Sequence, residues 1–539
     1  MKIERQITFT IKENSLIVAA ILFFAGISQF IWVLLDKSVW PFDPSWYAEE
    51  TLLISIASRA SLDSWFYEMI NAFGTKAPLI AWIGQLFVPF SWLGIPIEQT
   101  LLIVPIGSWL ISSYLLYKIA RIVWQQSSLA PIATLFVCIS SPVALGMSRL
   151  YFVESMQLLP ITACIYLSIS KKTRLELVLW SIAAVSIALL AKNTTVMHIV
   201  VPGLVILFKF YKPSLEPLEV RKIFVPALTS LFCFLGCFGW YYVNWQKQFD
   251  FMKSASSGSI GLLYGSKAPF IEKLAFWIPE FQVAFFITPL FYIFLALFLY
   301  IIFNCFFLKK NWTQSSFVFG ILVFIQGALQ LTLLSNQIVE EPRYLLTMTP
   351  YVALLIGFLV SELDQRIGKV LIVFLVMQSV ICVGYSFGFS VPFTLSRWLH
   401  PVEYSPKDQN LLSSVITRSC PQDKKNSYHI IGQEMPSFNA NSASFYGLKE
   451  MALRKSDHRC FYTSLGYAET DPLIAWNRIQ AMNAQSVIFR NDFLPQQMSP
   501  AFNAVSKDIQ DRLENSAEFK LIKEDIPVEL TYFERNTKP

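Results

Sequence analysis

Apolar residues come in long uninterrupted runs over roughly the first 390 positions of the chain and in short alternating stretches after that. Ser15 to Leu35 carries no charge over 21 residues, enough at 1.5 Å per residue to cross roughly 30 Å of hydrocarbon. Further runs near residues 100–117, 129–147, 157–170, 175–191, 196–210, 223–243, 281–308, 315–335, 344–362 and 370–389 bring the expected number of membrane-spanning helices to about eleven. The first run follows Lys2, Arg5 and Lys12 and is longer than the apolar part of a cleavable signal, which predicts an uncleaved first span. Pro78 to Gly94 stands apart. It is shorter, contains Pro89 and is amphipathic, the pattern of a helix lying along an interface.

Residues 390–539 change character. Tyr428–Gly432 and Gln485–Phe489 read as strands, Asp471–Ala484 as a helix with Asp471 as N-cap, and Phe519–Ile522 with Glu529–Phe533 as a hairpin. The expected architecture is therefore a polytopic α-helical membrane module over 1–389, with a long first outer loop at 36–99 carrying its own interfacial helices, followed by a soluble α/β domain over 390–539. That domain lacks a glycine-rich phosphate loop, a metal-spaced Cys/His cluster and a nucleophile elbow, which favours a binding or structural role for it.

Charge fixes the expected orientation. The formal net charge is +6, and residues from Ser390 onward hold 17 Lys+Arg against 17 Asp+Glu, so the excess belongs to the membrane part and needs no nucleic acid to explain it. If Pro78 to Gly94 does not cross, the connections on the N-terminal side hold 16 basic residues in short loops, among them Lys118, Arg121, Lys212, Lys309 and Lys310, against 10 in the much longer opposite loops. The positive-inside rule then predicts a cytoplasmic N-terminus and an extracytoplasmic C-terminal domain in a plasma (inner) membrane protein. Six of the eight cysteines fall in apolar runs; Cys420 and Cys460 lie in the C-terminal domain, as a disulfide or as two free thiols.

Ionisable residues within the spans would suggest a transport path, and His198 is the one well inside a run, where it reads as a packing residue. Charges gather instead at the outer ends of spans: Asp43, Glu49, Glu50 and Lys76 in the first loop, Arg149 and Glu154 in the second, Glu340, Glu341 and Arg343 in the fifth. Such acids and bases can bind a lipid phosphate and deprotonate a hydroxyl. In order and spacing, Asp43-Pro44-Ser45-Trp46-Tyr47, Lys76-Ala77-Pro78-Leu79, Ser148-Arg149-Leu150 with Glu154, and Arg343-Tyr344-Leu345-Leu346 with Pro350 resemble the protein O-mannosyltransferase and aminoarabinose transferase superfamily, glycosyltransferases of the GT-C class. The resemblance covers residues 1 to about 390 and is strongest over the first 210.

The resemblance implies an enzyme, a glycosyltransferase that moves a hexosyl or pentosyl group, with inversion, from a polyprenyl-phosphate carrier to a lipid, glycan or protein acceptor on the outer side of the membrane. It places the catalytic acids at Asp43 and Glu154, donor phosphate binding at Lys76 and Arg343, and supporting roles at Tyr47, Glu49 and Tyr344. Three departures stand out: Pro44 where a second acid is common, Trp46 where some members are basic, and Glu154 where Asp is usual. Single displacement needs one base, which Asp43 can supply, and a phosphomonoester leaving group needs fixed cations. A divalent metal held by Asp43 and Glu154 is an alternative source of that charge, though two carboxylates without a histidine point to one only weakly. The other readings are a glycolipid transporter or flippase, disfavoured by the uncharged spans, and a non-catalytic assembly protein, which Pro44 and Trp46 keep open.

Overall fold

The computed structural model describes residues 2–211, 220–307, 315–420, 427–454, 459–492, 500–524 and 526–536. Lys212, Lys309 and Lys310 of the charge pattern lie outside the described residues. In chain order the helices are α1 (Lys2–Leu35), α2 (Phe42–Ala60), α3 (Leu62–Asn71), α4 (Leu79–Gly84), α5 (Ile97–Leu101), α6 (Ile103–Val123), α7 (Leu129–Ser140), α8 (Pro142–Met147), α9 (Val153–Ile169), α10 (Arg174–Ala191) and α11 (Val200–Tyr211). They continue with α12 (Val220–Ser257), α13 (Ser259–Leu263), α14 (Phe270–Phe285), α15 (Thr288–Phe307), α16 (Ser315–Asn336), α17 (Thr349–Glu362) and α18 (Gln365–Ser386). The C-terminal domain then supplies α19 (Lys407–Ser419), β1 (Ser427–Ile431), α20 (Ala440–Arg454), β2 (Cys460–Ser464), α21 (Pro472–Ala481), β3 (Ser486–Arg490), α22 (Ser506–Glu514), β4 (Phe519–Ile522) and β5 (Leu530–Arg535).

All eleven apolar runs fall on helices. Among the described residues, eight spans are long and apolar enough to cross a membrane singly, a ninth is a bent pair, and α7 and α9 are shorter apolar helices of 12 and 17 residues. Three runs differ from expectation. The run at 281–308 is not one rod: α14 and α15 meet at 107°. The break is tolerated because Gln378 of α18, fully buried, accepts from the Ile287 amide at 3.1 Å and donates to the Phe285 carbonyl at 3.0 Å, so the exposed backbone groups are paired inside the protein. The run at 129–147 breaks at Ser141, whose hydroxyl caps α8 through the Ala144 amide ahead of Pro142. And α12 carries on for 38 residues, so most of the first part of the expected loop after residue 243 is helix. Pro78 to Gly94 forms α4 of six residues and a 3-10 turn, Val88–Leu93, neither long enough to cross.

The chain forms two compact units. One holds residues 1–34, 73–80 and 102–401, the other 35–72, 81–101 and 402–539. In the first, α7 packs against α6, α17 and α18, and α10 packs along α12. In the second, the five strands run in the order β2-β1-β3-β5-β4, with β2, β1 and β3 parallel and the β5–β4 side antiparallel. The helix capped by Asp471 and the β4–β5 hairpin are where the alternation placed them. One face of the sheet (Ile430, Val487, Phe489, Phe533) closes on Ala475 and Ile479 of α21 and on Ile509 and Leu513 of α22. Cys420 and Cys460 are joined in a disulfide with their Cα atoms 5.8 Å apart, tying the end of α19 to the start of β2.

Candidate active site

In the helical unit the decisive residue is Glu154, in the first turn of α9, where the free amides of a helix N-terminus favour an acid. Its carboxylate is buried, 2% exposed. Lys192 ends α10 in extended backbone and brings its ammonium to 2.8 Å from Glu154 Oε1. Arg343, in the 3-10 segment Pro342–Met348 ahead of α17, places Nε 3.4 Å from the same oxygen and 3.9 Å from Glu341. Burial opposes the Lys192 charge, but Glu154 more than offsets it, and the lysine pKa lies above its ordinary value.

Aromatic faces enclose the two cations. The Lys192 ammonium lies 4.3 Å from the centre of the Tyr344 ring, and the Arg343 guanidinium 4.8 Å from Phe152 and 5.9 Å from Trp398. Trp398 meets Phe152 edge-on at 5.7 Å. Its strand of chain runs directly over α8, where a Cβ on Gly146 would stand 2.1 Å from the Trp398 carbonyl oxygen. Any other residue at 146 would push this wall away.

Lys76 belongs to the same unit. It follows Phe73 and Gly74, both left-handed at φ 60° and 66°, and the Thr75 amide bonds the Phe73 carbonyl at 2.7 Å. A left-handed Phe costs about 1–2 kcal/mol, and strain of this kind tends to persist where it serves a function. The Tyr151 hydroxyl, three residues before Glu154, donates to the Ile80 carbonyl at 2.8 Å and so ties the Lys76 turn to the loop that leads into α9. Arg149 is turned elsewhere: it donates to Gln29 and lies 4.8 Å over the Trp32 ring of α1.

Asp43, Tyr47 and Glu49 are in the other unit, on α2. Asp43 stands half-buried in the first helical turn, where Pro44 is tolerated because its missing amide would have had no intrahelical partner. Tyr47 is buried and stacks on Trp46 with ring centres 6.0 Å apart. Glu49 is paired with Arg459 at 3.0 Å. Burial raises the Glu49 pKa, and Arg459 works against that rise.

Between α10 and α12 runs an apolar groove of about 600 Å³, lined by residues that include Ile182, Val185, Leu189, Phe234, Phe238 and Trp245. At Leu189 the groove is one turn from Lys192, and the Tyr241 hydroxyl bonds the Leu189 carbonyl at 3.1 Å. A metal does not fit the Glu154 end. Its carboxylate already takes two cations, and among the described residues no three His, Cys, Asp or Glu side chains come together in a metal-binding group.

No protein-family model matches the sequence, and neither does any curated protein. Solved structures do. ArnT from Cupriavidus metallidurans bound to undecaprenyl phosphate superposes with a TM-score of 0.58 at 12% identity, covering 96% of this chain and 97% of that one. Arabinofuranosyltransferase AftD from Mycobacteria gives 0.52 at 10%, covering 96% and 40%. Oligosaccharyltransferase AglB from Archaeoglobus fulgidus gives 0.51 at 9%, covering 95% and 75%. The chain has the GT-C fold. It extends through the C-terminal α/β domain and so reaches beyond the region in which the sequence motifs could be read.

Within this GT-C fold, Glu154, Arg343 and Tyr344 come together in one cluster, with Lys76 in the same unit. Lys192 and Trp398 join them and were missed from the sequence. Lys192 left a signal: a lone lysine in a turn of a few residues between two apolar runs, on the side where bases are scarce. Trp398 left none, because only the close approach of its backbone to Gly146 sets it there.

Proposed function

We propose that this chain is a membrane glycosyltransferase that takes a sugar from a polyprenyl-phosphate carrier and transfers it, with inversion, to an acceptor hydroxyl on the outer side of the membrane. The observation that carries the reading is the cluster of Lys192 and Arg343 on the buried Glu154, walled by Tyr344, Phe152 and Trp398, in a chain with the GT-C fold over 96% of its length.

The chemistry follows from the groups. Asp43 accepts the proton of the acceptor hydroxyl as its oxygen bonds the anomeric carbon; the bond from that carbon to the phosphate oxygen breaks, and polyprenyl phosphate leaves with one more negative charge. Lys192, Arg343 and Lys76 bind that phosphate and gain strength as the charge develops. Glu154 orders the cations, since Lys192 and Arg343 both lie against its Oε1. The groove beside α10 is apolar enough for an isoprenoid chain and ends a turn from Lys192.

The orientation that suits this reaction has the N-terminus in the cytoplasm and the C-terminal domain outside. It is supported by the 16 to 10 distribution of loop bases and by the disulfide, which persists in oxidising compartments. A thiol-reactive probe at Lys507→Cys should label from outside in intact cells; labelling only after permeabilisation would reverse the topology. The reaction itself is tested by incubating purified protein with a radiolabelled polyprenyl-phosphate sugar and a panel of lipid, glycan and peptide acceptors. Release of polyprenyl phosphate with label on an acceptor is expected. Donor that is bound or flipped but never consumed would refute the enzyme.

A further inference from the structure

We propose that Arg459 is a positioning residue for α2, the helix that carries Asp43, and that the Cys420–Cys460 disulfide fixes Arg459 for that task. The proposal rests on the reading of Asp43 as the base.

The start of α2 is held by the C-terminal domain through backbone carbonyls. The Ser442 hydroxyl donates to Trp40 at 2.7 Å, the Asn441 amide donates to Phe42 at 3.3 Å, and Trp40 stacks on Phe445 at 5.7 Å. All three ties come from the first turns of α20 and grip one end of the helix. Further along, α2 packs against α20 and α3, which limits its swing. A charged tie on the flank of the helix sets its roll.

Arg459 supplies it. Its guanidinium is 3.0 Å from Glu49 Oε1, and Glu49 lies six residues beyond Asp43, about 9 Å along the axis and about 120° around it. Arg459 therefore holds the flank of α2, on a different side of the helix from Asp43. The arginine is itself constrained. It precedes the first residue of β2, an edge strand paired to β1 alone, and its guanidinium packs 4.6 Å over the Phe461 ring. The next residue, Cys460, is bonded to Cys420 at the end of α19, so the edge strand is anchored at the point where Arg459 leaves it. Without that bond, the first residues of an edge strand are the ones that fray most readily.

Placement matters because a catalytic group displaced by about 1 Å can lose on the order of a hundredfold in rate. Arg459→Ala and Cys420→Ser/Cys460→Ser should each lower kcat about tenfold and leave the Kd for polyprenyl-phosphate sugar unchanged. The two losses should not multiply when combined, since both act through one tie. The swapped protein, Glu49→Arg with Arg459→Glu, restores the ion pair and should recover most of kcat; this also covers the case in which a single variant folds poorly. If kcat is unchanged in Arg459→Ala and in the double serine protein, or if the swapped protein folds but stays as slow as the single variants, the positioning role is wrong. Should Asp43→Asn transfer sugar at the parent rate, the reading of Asp43 falls instead, and the two failures are separate.

Discussion

The Glu154 cluster and the α2–α20 seam are both built from acids paired with bases, yet they are arranged differently. At Glu154 one buried carboxylate is shared by Lys192 at 2.8 Å and Arg343 at 3.4 Å, and aromatic rings surround the cations. Around the seam, acid–base pairs join separate elements: Glu49 of α2 with Arg459 ahead of β2 at 3.0 Å, and Glu98 of α5 with Lys449 of α20 at 2.6 Å. Two cations gathered at one buried carboxylate, with Glu341 3.9 Å from Arg343, form a site to which a further anion can be drawn. An acid–base contact between two elements closes them on one another and fixes geometry. The first arrangement suits binding a phosphate and the second suits holding a helix in place. Asp43 lies on that helix, so under the proposed mechanism its placement depends on the seam.

The largest effect expected from this contrast is at Asp43. As a turn residue, Asp43 would be replaced by Asn with little consequence, because both open a helix equally well. As the base it cannot be replaced, since the amide accepts no proton. Asp43→Asn should fold, keep its donor affinity and lose turnover by a factor on the order of 100 to 10,000. Stopped reactions with the labelled donor check this, and near-parental transfer would move the base to Glu50 or to an acid outside α2.

A smaller effect should separate shared from closed pairs. Lys192→Met, Arg343→Met and Lys76→Met should each weaken donor binding by about 1.5–3 kcal/mol, the range of a charge-assisted hydrogen bond, or roughly ten- to a hundredfold in Kd. Lys449→Met, in a closed pair, should leave that Kd unchanged and act on thermal stability. Equilibrium binding of polyprenyl phosphate compares the four, and equal losses at Lys192 and Lys449 would erase the distinction.

The spans were legible because lipid admits few solutions: runs of about twenty apolar residues are helices, and each run was found on one or on a broken pair. What escaped was set by single polar side chains acting over long sequence distances. Gln378 permits the break at Phe286, and no pattern near residue 286 announces it. The strands followed from local alternation, yet β2 was not foreseen, since Cys460-Phe461-Tyr462 follows a polar stretch and pairs with β1 through a crossover. Of the candidate residues, Glu154 and Arg343, which meet in one cluster, and Lys76, in the same unit, were named from their order along the chain. Lys192 and Arg459 could not be assigned, because each is defined by the carboxylate it meets, 38 and 410 residues away.

The smallest effect concerns stability in the unit that contains the seam, and its sign is fixed by Glu434. This residue follows β1 by three positions, is half-buried, and its backbone exchanges hydrogen bonds with Asn503: the Glu434 amide donates to the Asn503 side chain at 2.7 Å, and that side chain donates back to the Glu434 carbonyl at 3.0 Å. Burial raises the Glu434 carboxyl to about 8, with a bond from the Ala440 amide acting the other way. The folded protein then keeps a proton that the unfolded chain releases near the ordinary glutamate value of about 4.3. Folded protein binds more protons than unfolded between those two values, so the stabilisation is complete below about pH 4 and declines as pH rises towards 8. Glu434→Gln has no proton to lose. Its Tm should match that of the parent near pH 5 and exceed it by a few degrees at pH 9, with transfer activity unchanged at the lower pH. Melting curves in detergent at the two pH values test this; parallel curves for parent and variant would mean that Glu434 is ionised in the fold and that its surroundings are wetter than the packing suggests.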